Sequence, residues 1–253
     1  LKYLIFIAVV FFFNACSSTL NQKPATGIER FHAAKAAYDD EDYFESSLEL
    51  QRIVWSFSGS TIADSAQFYL AQSHFKMEEY ILAASEFEKL ISHMPHSKLV
   101  PQAEYMLAES YYMQSPRPEL DPEYTLKAIR AYQNFIEDFP TAGFRKDAEK
   151  KISKLRSKLA QKDYNSGVIY RKMKKFRASI IYFDDVLASY YDTPWADDAQ
   201  LGKVITYIDA ENYDSARKEL DKFEQQFPKS NLQTEAVALG KEIEGQFGKQ
   251  AAK

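Results

Sequence analysis

Cysteine is nearly missing from this 253-residue chain: Cys16 stands alone. That excludes an intrachain disulfide and any multi-cysteine metal site. Glycine and proline are sparse, at 8 and 9 residues, and the apolar content is too high for a disordered chain. There is no long hydrophobic run; the longest, residues 3–13, is shorter than the ~20 residues a membrane-spanning helix needs. Charge of one sign is not in large excess either. A formal net charge of −4 gives no electrostatic reason to expect a nucleic-acid partner. Catalytic signatures are missing too: no P-loop, no GxSxG, no HExxH. The histidines are His32, His74, His93 and His96. His93 and His96 flank Pro95 without a cysteine or carboxylate beside them, a poor metal pattern. Asp184-Asp185 and Asp197-Asp198 fall at helix-surface and first-turn positions, where carboxylates commonly sit. No enzyme activity, metal or cofactor is expected.

What the chain has is aromatic residues, with 17 Tyr and 18 Phe, and a repeat. From Tyr80, a small residue follows at +3 (Ala83) and apolar residues at +7, +10 and +14 (Phe87, Leu90, Met94), the stripe of one helix face. Pro95 stops that helix, Ser97 can cap the next, and Ala103 at +23 lies inside it. The same ruler from Tyr43 gives Ser46, Leu50, Ile53, Phe57, Ser60 and Ala66. From Thr125 it gives Ala128, Tyr132, Phe135, Phe139, Ala142 and Ala148; from Phe176, Ser179, Phe183, Val186, Tyr190, Thr193 and Ala199. From Tyr213 it gives Ala216, Leu220, Phe223, Phe227, Ser230 and Ala236. Nine residues before the anchors come Ala34, Ala71, Gly167 and Val204, with Ala108 as the counterpart in the third copy.

A unit of ~37 residues built this way is two short helices that cannot bury their apolar faces alone. The small–aromatic pairing resembles the tetratricopeptide (TPR) pattern. The expected fold is all-α: an α-solenoid of about five tetratricopeptide-like helix pairs with a C-terminal capping helix near 232–247, and a concave face lined mainly by the first helix of each pair. Two departures break the regularity. Pro116, Pro118 and Pro122 force a loop between the helices of unit three. The segment 144–173 is about fourteen residues longer than a standard first helix; it reads as one helix or two, with Asn165-Ser166-Gly167 as the weak point.

At the N-terminus a lysine, a short apolar run, Ala15 and then Cys16 resemble a bacterial lipoprotein signal, with an ordinary cleaved signal or an N-terminal anchor helix as alternatives. On the lipoprotein reading, 1–15 is the signal peptide and 16–26 the lipidated Cys16 and its tether. Residues 27–142 form TPR-like units one to three, and 143–248 units four and five with the cap. Three acyl chains anchor firmly, at roughly 0.8 kcal/mol per buried CH₂. The residue after Cys16 is not Asp, which favours outer-membrane sorting.

These features together resemble the BamD (ComL) family of outer-membrane assembly lipoproteins. The resemblance is carried by the lipoprotein signal before five TPR-like units, by RPELDP (117–122) entering AIRAYQNFIEDFP, and by FRKDAEKKISKLRSKLAQKDYNSGVIYRKMKKFRASIIYFDDVLASY. It covers about 26–240. It implies a periplasmic scaffold on the outer membrane, held there by its lipid anchor. Its expected partners are a BamA-type barrel with POTRA domains, the other assembly-complex lipoproteins, and unfolded outer membrane proteins, whose C-terminal targeting segments enter the N-terminal half. Phe31, Lys35, Tyr69, Gln72, Tyr105 and Tyr112, on first helices away from the small-residue positions, are candidates for that groove; burial in the inter-helix core is the competing reading. Arg171, Lys172, Lys174, Lys175 and Arg177 crowd the turn of unit four and are candidates for pairing with POTRA carboxylates, against the reading of a solvated loop. Other functional classes compatible with the repeat are another periplasmic TPR lipoprotein serving envelope assembly or division, and a glycan-binding helical-repeat lipoprotein.

Overall fold

The structure, a computed structural model, describes residues 26–251, with side chains to 247. Cys16, the apolar run and most of the tether lie outside the described residues. The described chain is all-helical: α1 Gly27–Asp39, α2 Tyr43–Ser56, α3 Ala63–Lys76, α4 Tyr80–His93, α5 Val100–Gln114, α6 Glu123–Asp138, α7 Arg145–Lys172, α8 Phe176–Ser189, α9 Ala196–Asp209, α10 Tyr213–Gln226 and α11 Gln233–Ala251. No described helix is long and apolar enough to cross a membrane. The helices fall into two compact bodies, an N-terminal one ending at Leu99 and a C-terminal one beginning at Val100. Within each, every helix packs on its sequence neighbours. First helices also touch first helices two places on: α1 with α3, α7 with α9, and α9 with α11.

Local chemistry sets the boundaries. Thr26 and Glu29 form a reciprocal capping box at the start of α1, with bonds of 2.7 and 3.2 Å. Asp42 and Asn212 accept from the backbone N–H groups of Glu45 and Ser215 at the starts of α2 and α10. The turns inside units one, two, four and five share one geometry. Glu41, Glu78, Lys174 and Glu211 each adopt φ near +60°. The next residue in each turn donates its N–H back to a carbonyl five residues earlier, as Asp42 does to Ala37 at 2.8 Å and Lys175 to Tyr170 at 2.9 Å. This is the Schellman closure of a helix end, made here without glycine.

The anchored stripe is the core. Leu50, Ile53, Phe87, Leu90, Tyr132, Phe135, Phe183, Val186, Leu220 and Phe223 are all fully buried, as are Ala66, Ala103, Ala148, Ala199 and Ala236 at the +23 positions. The segment expected as one or two helices is one 28-residue helix, α7. Asn165-Ser166-Gly167 does not break it because Gly167 is closed in by a neighbour: a Cβ there would meet the Phe183 ring at 2.6 Å. The proline loop ahead of α6 is held from the side by the same helix. Lys158 donates to Ser115 Oγ at 2.8 Å, and Lys162 to the Leu120 carbonyl at 2.8 Å.

Units one–two and units four–five repeat their polar contacts at residue numbers 133 apart. Gln67 donates to the Glu86 carbonyl and carboxylate at 3.0 and 2.7 Å; Gln200 does the same to Glu219 at 2.8 and 2.9 Å. Ser97 Oγ donates to Asp64 at 2.7 Å, as Ser230 Oγ does to Asp197 at 2.7 Å. Ser46 meets Ser73 as Ser179 meets Thr206.

Candidate binding faces

Three of the six groove candidates come together in the N-terminal body. Phe31 and Lys35 on α1 lie one helical turn apart, and Tyr69 on α3 packs against both. The Phe31 and Tyr69 ring centroids are 6.1 Å apart, and Lys35 Nζ is 4.9 Å from the Tyr69 centroid. Tyr38, which the sequence did not single out, completes the group. Its ring lies 5.2 Å from Tyr69, 5.3 Å from Tyr43 and 5.7 Å from Lys35 Nζ. A signal for it was available: Tyr38 follows Phe31 by seven residues and Lys35 by three, which is the spacing of one helix face. Lys35 also pairs with Asp39, which holds its ammonium above the usual range. Burial, with smaller contributions from Tyr43, Tyr69 and Asp39, pushes the Tyr38 hydroxyl up to about 12. The result is a half-buried aromatic face with one cation laid across it, a surface suited to flat apolar groups and aromatic ends. Gln72, one turn beyond Tyr69 on α3, is buried rather than presented at that face.

Tyr105 and Tyr112 belong to the C-terminal body, where they join a polar network linking α5, α6 and α7. Tyr105 Oη donates to Asp147, and Tyr132 Oη donates to Glu109. Lys151 sits among them, donating to Glu109 and to Tyr105 Oη at 3.1 Å, with Asp147 at 3.0 Å. Its Nζ is also 5.4 Å from the ring centroids of both Tyr105 and Tyr112. Burial alone would lower the Lys151 pKa, but the bonds to Glu109, Tyr105 and Asp147 outweigh it and hold the group protonated. Burial and the Glu109 carboxylate together keep Tyr132 neutral. Tyr105 is buried and stacked on Phe144 at 4.7 Å. This network ties α5 and α6 of unit three to α7, the first helix of unit four. Glu109, Tyr132 and Lys151 were not among the sequence candidates, because their partners are 23 to 46 residues away along the chain.

The basic turn of unit four lies open. Lys172, Lys174, Lys175 and Arg177 are exposed, and none of the four pairs with an acid among the described residues. Arg171 is half-buried and lies 3.9 Å from Asp209. At the corresponding turn of unit one stand Asp39, Asp40, Glu41 and Asp42. One fold position therefore carries opposite charge in the two halves of the chain.

A separate cleft of about 750 Å³ opens in the N-terminal body where helix pairs meet. Its lining includes Trp55, Ser58, Thr61, Lys89, Met94 and His96. A comparable cleft of about 780 Å³ lies at the matching place in units four and five, lined by Tyr191, Pro194, Phe227 and Lys229 among others. Among the described residues no group of three His, Cys, Asp or Glu side chains is arranged to hold a metal ion.

A protein-family model described as "YfiO: Outer membrane lipoprotein" matches residues 24–207. No curated protein matches the chain. Among solved structures, the chain is similar to the TPR2AB domain of yeast Sti1 in its pHSP90 complex, at 12% identity over 89% of this chain and 86% of that one, with a TM-score of 0.44. It is also similar to TTC0263, a TPR protein of Thermus thermophilus, at 16% identity over 85% and 98%, TM-score 0.38. A tetratricopeptide repeat protein from Parabacteroides merdae matches at 15% identity over 89% and 75%, TM-score 0.38.

Proposed function

The chain belongs to the YfiO (BamD) family of outer membrane lipoproteins, and from that premise we propose that it is a lipid-anchored scaffold of the β-barrel assembly machinery. The family is one of non-enzymatic TPR scaffolds. On this reading Cys16 carries the lipid and holds the protein on the periplasmic side of the outer membrane. The C-terminal part, 143–248, binds the POTRA domains of a BamA-type barrel, with Arg171, Lys172, Lys174, Lys175 and Arg177 meeting their carboxylates. The N-terminal part, 27–142, receives the C-terminal targeting segments of unassembled outer membrane proteins.

The observation that carries the reading is the family match, which runs from unit one into the first helix of unit five and includes both departures, the proline loop and α7. Two local features support the finer assignments. The open basic turn has unpaired cations on a short, well-closed loop, and charge of this kind steers association and fixes register more than it adds raw affinity. The Phe31–Lys35–Tyr38–Tyr69 face offers ring edges and a cation to an apolar segment that ends in an aromatic residue and a carboxylate. The test is co-purification from detergent-solubilised outer membrane. A POTRA-bearing barrel should come down with the wild-type chain, and with a Lys172→Glu/Lys174→Glu/Lys175→Glu variant in clearly smaller amount. Absence of any such barrel from the wild-type eluate would refute the scaffold reading.

A further inference from the structure

The chain enters the N-terminal body at one particular edge. α1 begins at Gly27, where a Cβ would lie 3.1 Å from Phe57 and 3.2 Å from Ile62. The N-terminus of the described fold is therefore beside the turn 57–62, at the end of α2 that carries Trp55. Thr26 comes ten residues after Cys16. Since an extended chain covers at most about 3.6 Å per residue, this edge lies within about 36 Å of Cys16 whatever path the chain takes.

This edge is poor in acids, with Glu29 held in the α1 capping box, whereas the apolar groups exposed at the opposite edge, Phe44, Ile81 and Leu82, stand next to acidic turns. Trp55 is 74% exposed and Ile28, in the first turn of α1, is 54% exposed. The turns at this edge, 57–62 (FSGSTI) and 94–98 (MPHSK), contain no carboxylate, and the second ends in His96 and Lys98. Asp64, just inside α3, is half-buried and already accepts from Ser65 N–H and Ser97 Oγ, both at 2.7 Å. The helices run antiparallel, so the other turns of this body lie at the opposite edge. Those carry Asp39, Asp40, Glu41, Asp42, Glu78 and Glu79. Tryptophan is enriched at the head-group level of a bilayer, and anionic lipid repels carboxylates.

We propose that the edge bearing Trp55, Ile28 and the turns 57–62 and 94–98 rests on the phospholipid surface, with Trp55 among the head groups and the acidic turns directed away. This rests on acylation of Cys16. A bilayer suits the edge better than a second protein because the tether brings membrane, and not any particular partner, within reach. One acyl anchor leaves a protein free to tumble about its tether. A second contact at the head groups orients the N-terminal body and fixes the height at which its aromatic face stands above the membrane.

The chain has two tryptophans, Trp55 and Trp195, so Trp195→Phe leaves Trp55 as the sole reporter. The acylated full chain carrying Trp195→Phe is placed in vesicles of phosphatidylethanolamine and phosphatidylglycerol. Lipids bearing a nitroxide near the head group should quench the Trp55 emission, as expected for an interfacial ring. A second reporter, Phe44→Trp with Trp55→Phe and Trp195→Phe, sits at the acidic end of α2 and should stay unquenched. Circular dichroism checks that each variant is folded. Vesicle flotation without Trp55 quenching overturns the proposal while leaving the anchor intact. Equal quenching of both reporters overturns it as well. Failure to float, with Cys16 unmodified by mass spectrometry, removes the anchoring premise and the proposal with it. Quenching that is absent in vesicles, with protection of Trp55 only when a POTRA-bearing barrel is added, assigns the edge to a protein partner instead.

Discussion

Phe183 is gripped between two glycines from different helices. A Cβ at Gly167 on α7 would come within 2.6 Å of its ring, and one at Gly202 on α9 within 2.7 Å. Packed interiors respond to added volume by straining rotamers or backbone, so Gly167→Ala and Gly202→Ala should each destabilise by about 1–3 kcal/mol. Chemical unfolding measures this, and Phe183→Leu in the Gly167→Ala background should recover part of the loss. Glu104 is a second informative residue. It follows Ala103 as Gln67 follows Ala66 and Gln200 follows Ala199. Ala131 stands where Glu86 and Glu219 stand in the other pairs, so no side chain at that position answers Glu104, and its Oε2 is buried without a hydrogen bond. Burial first, and then the charge of Asp138, pushes its pKa up to about 7. A carboxyl raised in the folded state contributes stability that is fully present below about pH 4.5 and lost as pH rises through about 7. Glu104→Gln should therefore be neutral at pH 4 and stabilising at pH 8, by about 1–2 kcal/mol after allowing for residual exposure, as read from urea midpoints. The sequence marks Gly167 as a weak point and does not single out Glu104. In both cases the deciding neighbour, a ring or a missing carboxylate, comes from another helix.

At the scale of the element, α7 serves two neighbours. Its first half supplies Ala148 and Leu155 to the cluster around Tyr132, and its second half supplies Ala160 to the cluster around Phe183. Between these runs the face that holds the proline loop by Lys158 and Lys162. Removing both ammonium groups, as Lys158→Ala/Lys162→Ala, should free that loop without unfolding α6. A glutamate-specific protease should then cut after Glu119 several-fold faster, with little change in the thermal midpoint; unchanged cutting would mean the prolines alone hold the loop. The loop itself was legible, because three prolines cannot lie in a helix interior. The unbroken course of α7 was not, since Asn165, Ser166 and Gly167 are each poor helix formers and only their packing keeps the helix intact. The turns at Glu41, Glu78, Lys174 and Glu211 were legible as turns but not in conformation. Left-handed backbone is normally announced by glycine or asparagine, and here the returning hydrogen bonds impose it on charged residues.

For the molecule as a whole, each compact body has its own core. The N-terminal one is built around Leu50, Ile53 and Leu70, and the C-terminal one holds separate clusters around Tyr132, Phe183 and Leu220. Residues 100–253 expressed alone should fold into a helical protein with a cooperative thermal transition by circular dichroism. A non-cooperative melt would mean that the N-terminal body is needed to complete it. Helix pairs, anchors and core were readable from one ruler laid along the chain. The groove candidates were only partly so: Phe31, Phe68 and Tyr105 each stand three residues before the small residue of their helix, yet Phe31 joins the aromatic face while Phe68 and Tyr105 are buried, a difference the ruler cannot show. The length of α7 carries a further consequence. At 28 residues it is twice the 14 of α3 or α9, and fourteen extra residues are close to four whole turns. Its two working faces therefore stay nearly in step. One residue added in the middle would swing the second half by about 100°, carrying Gly167 off Phe183, whereas seven would shift it by only about 20°. Spacing between these units can therefore change only by lengths that close on whole turns to within about 20°, such as seven, eleven or eighteen residues.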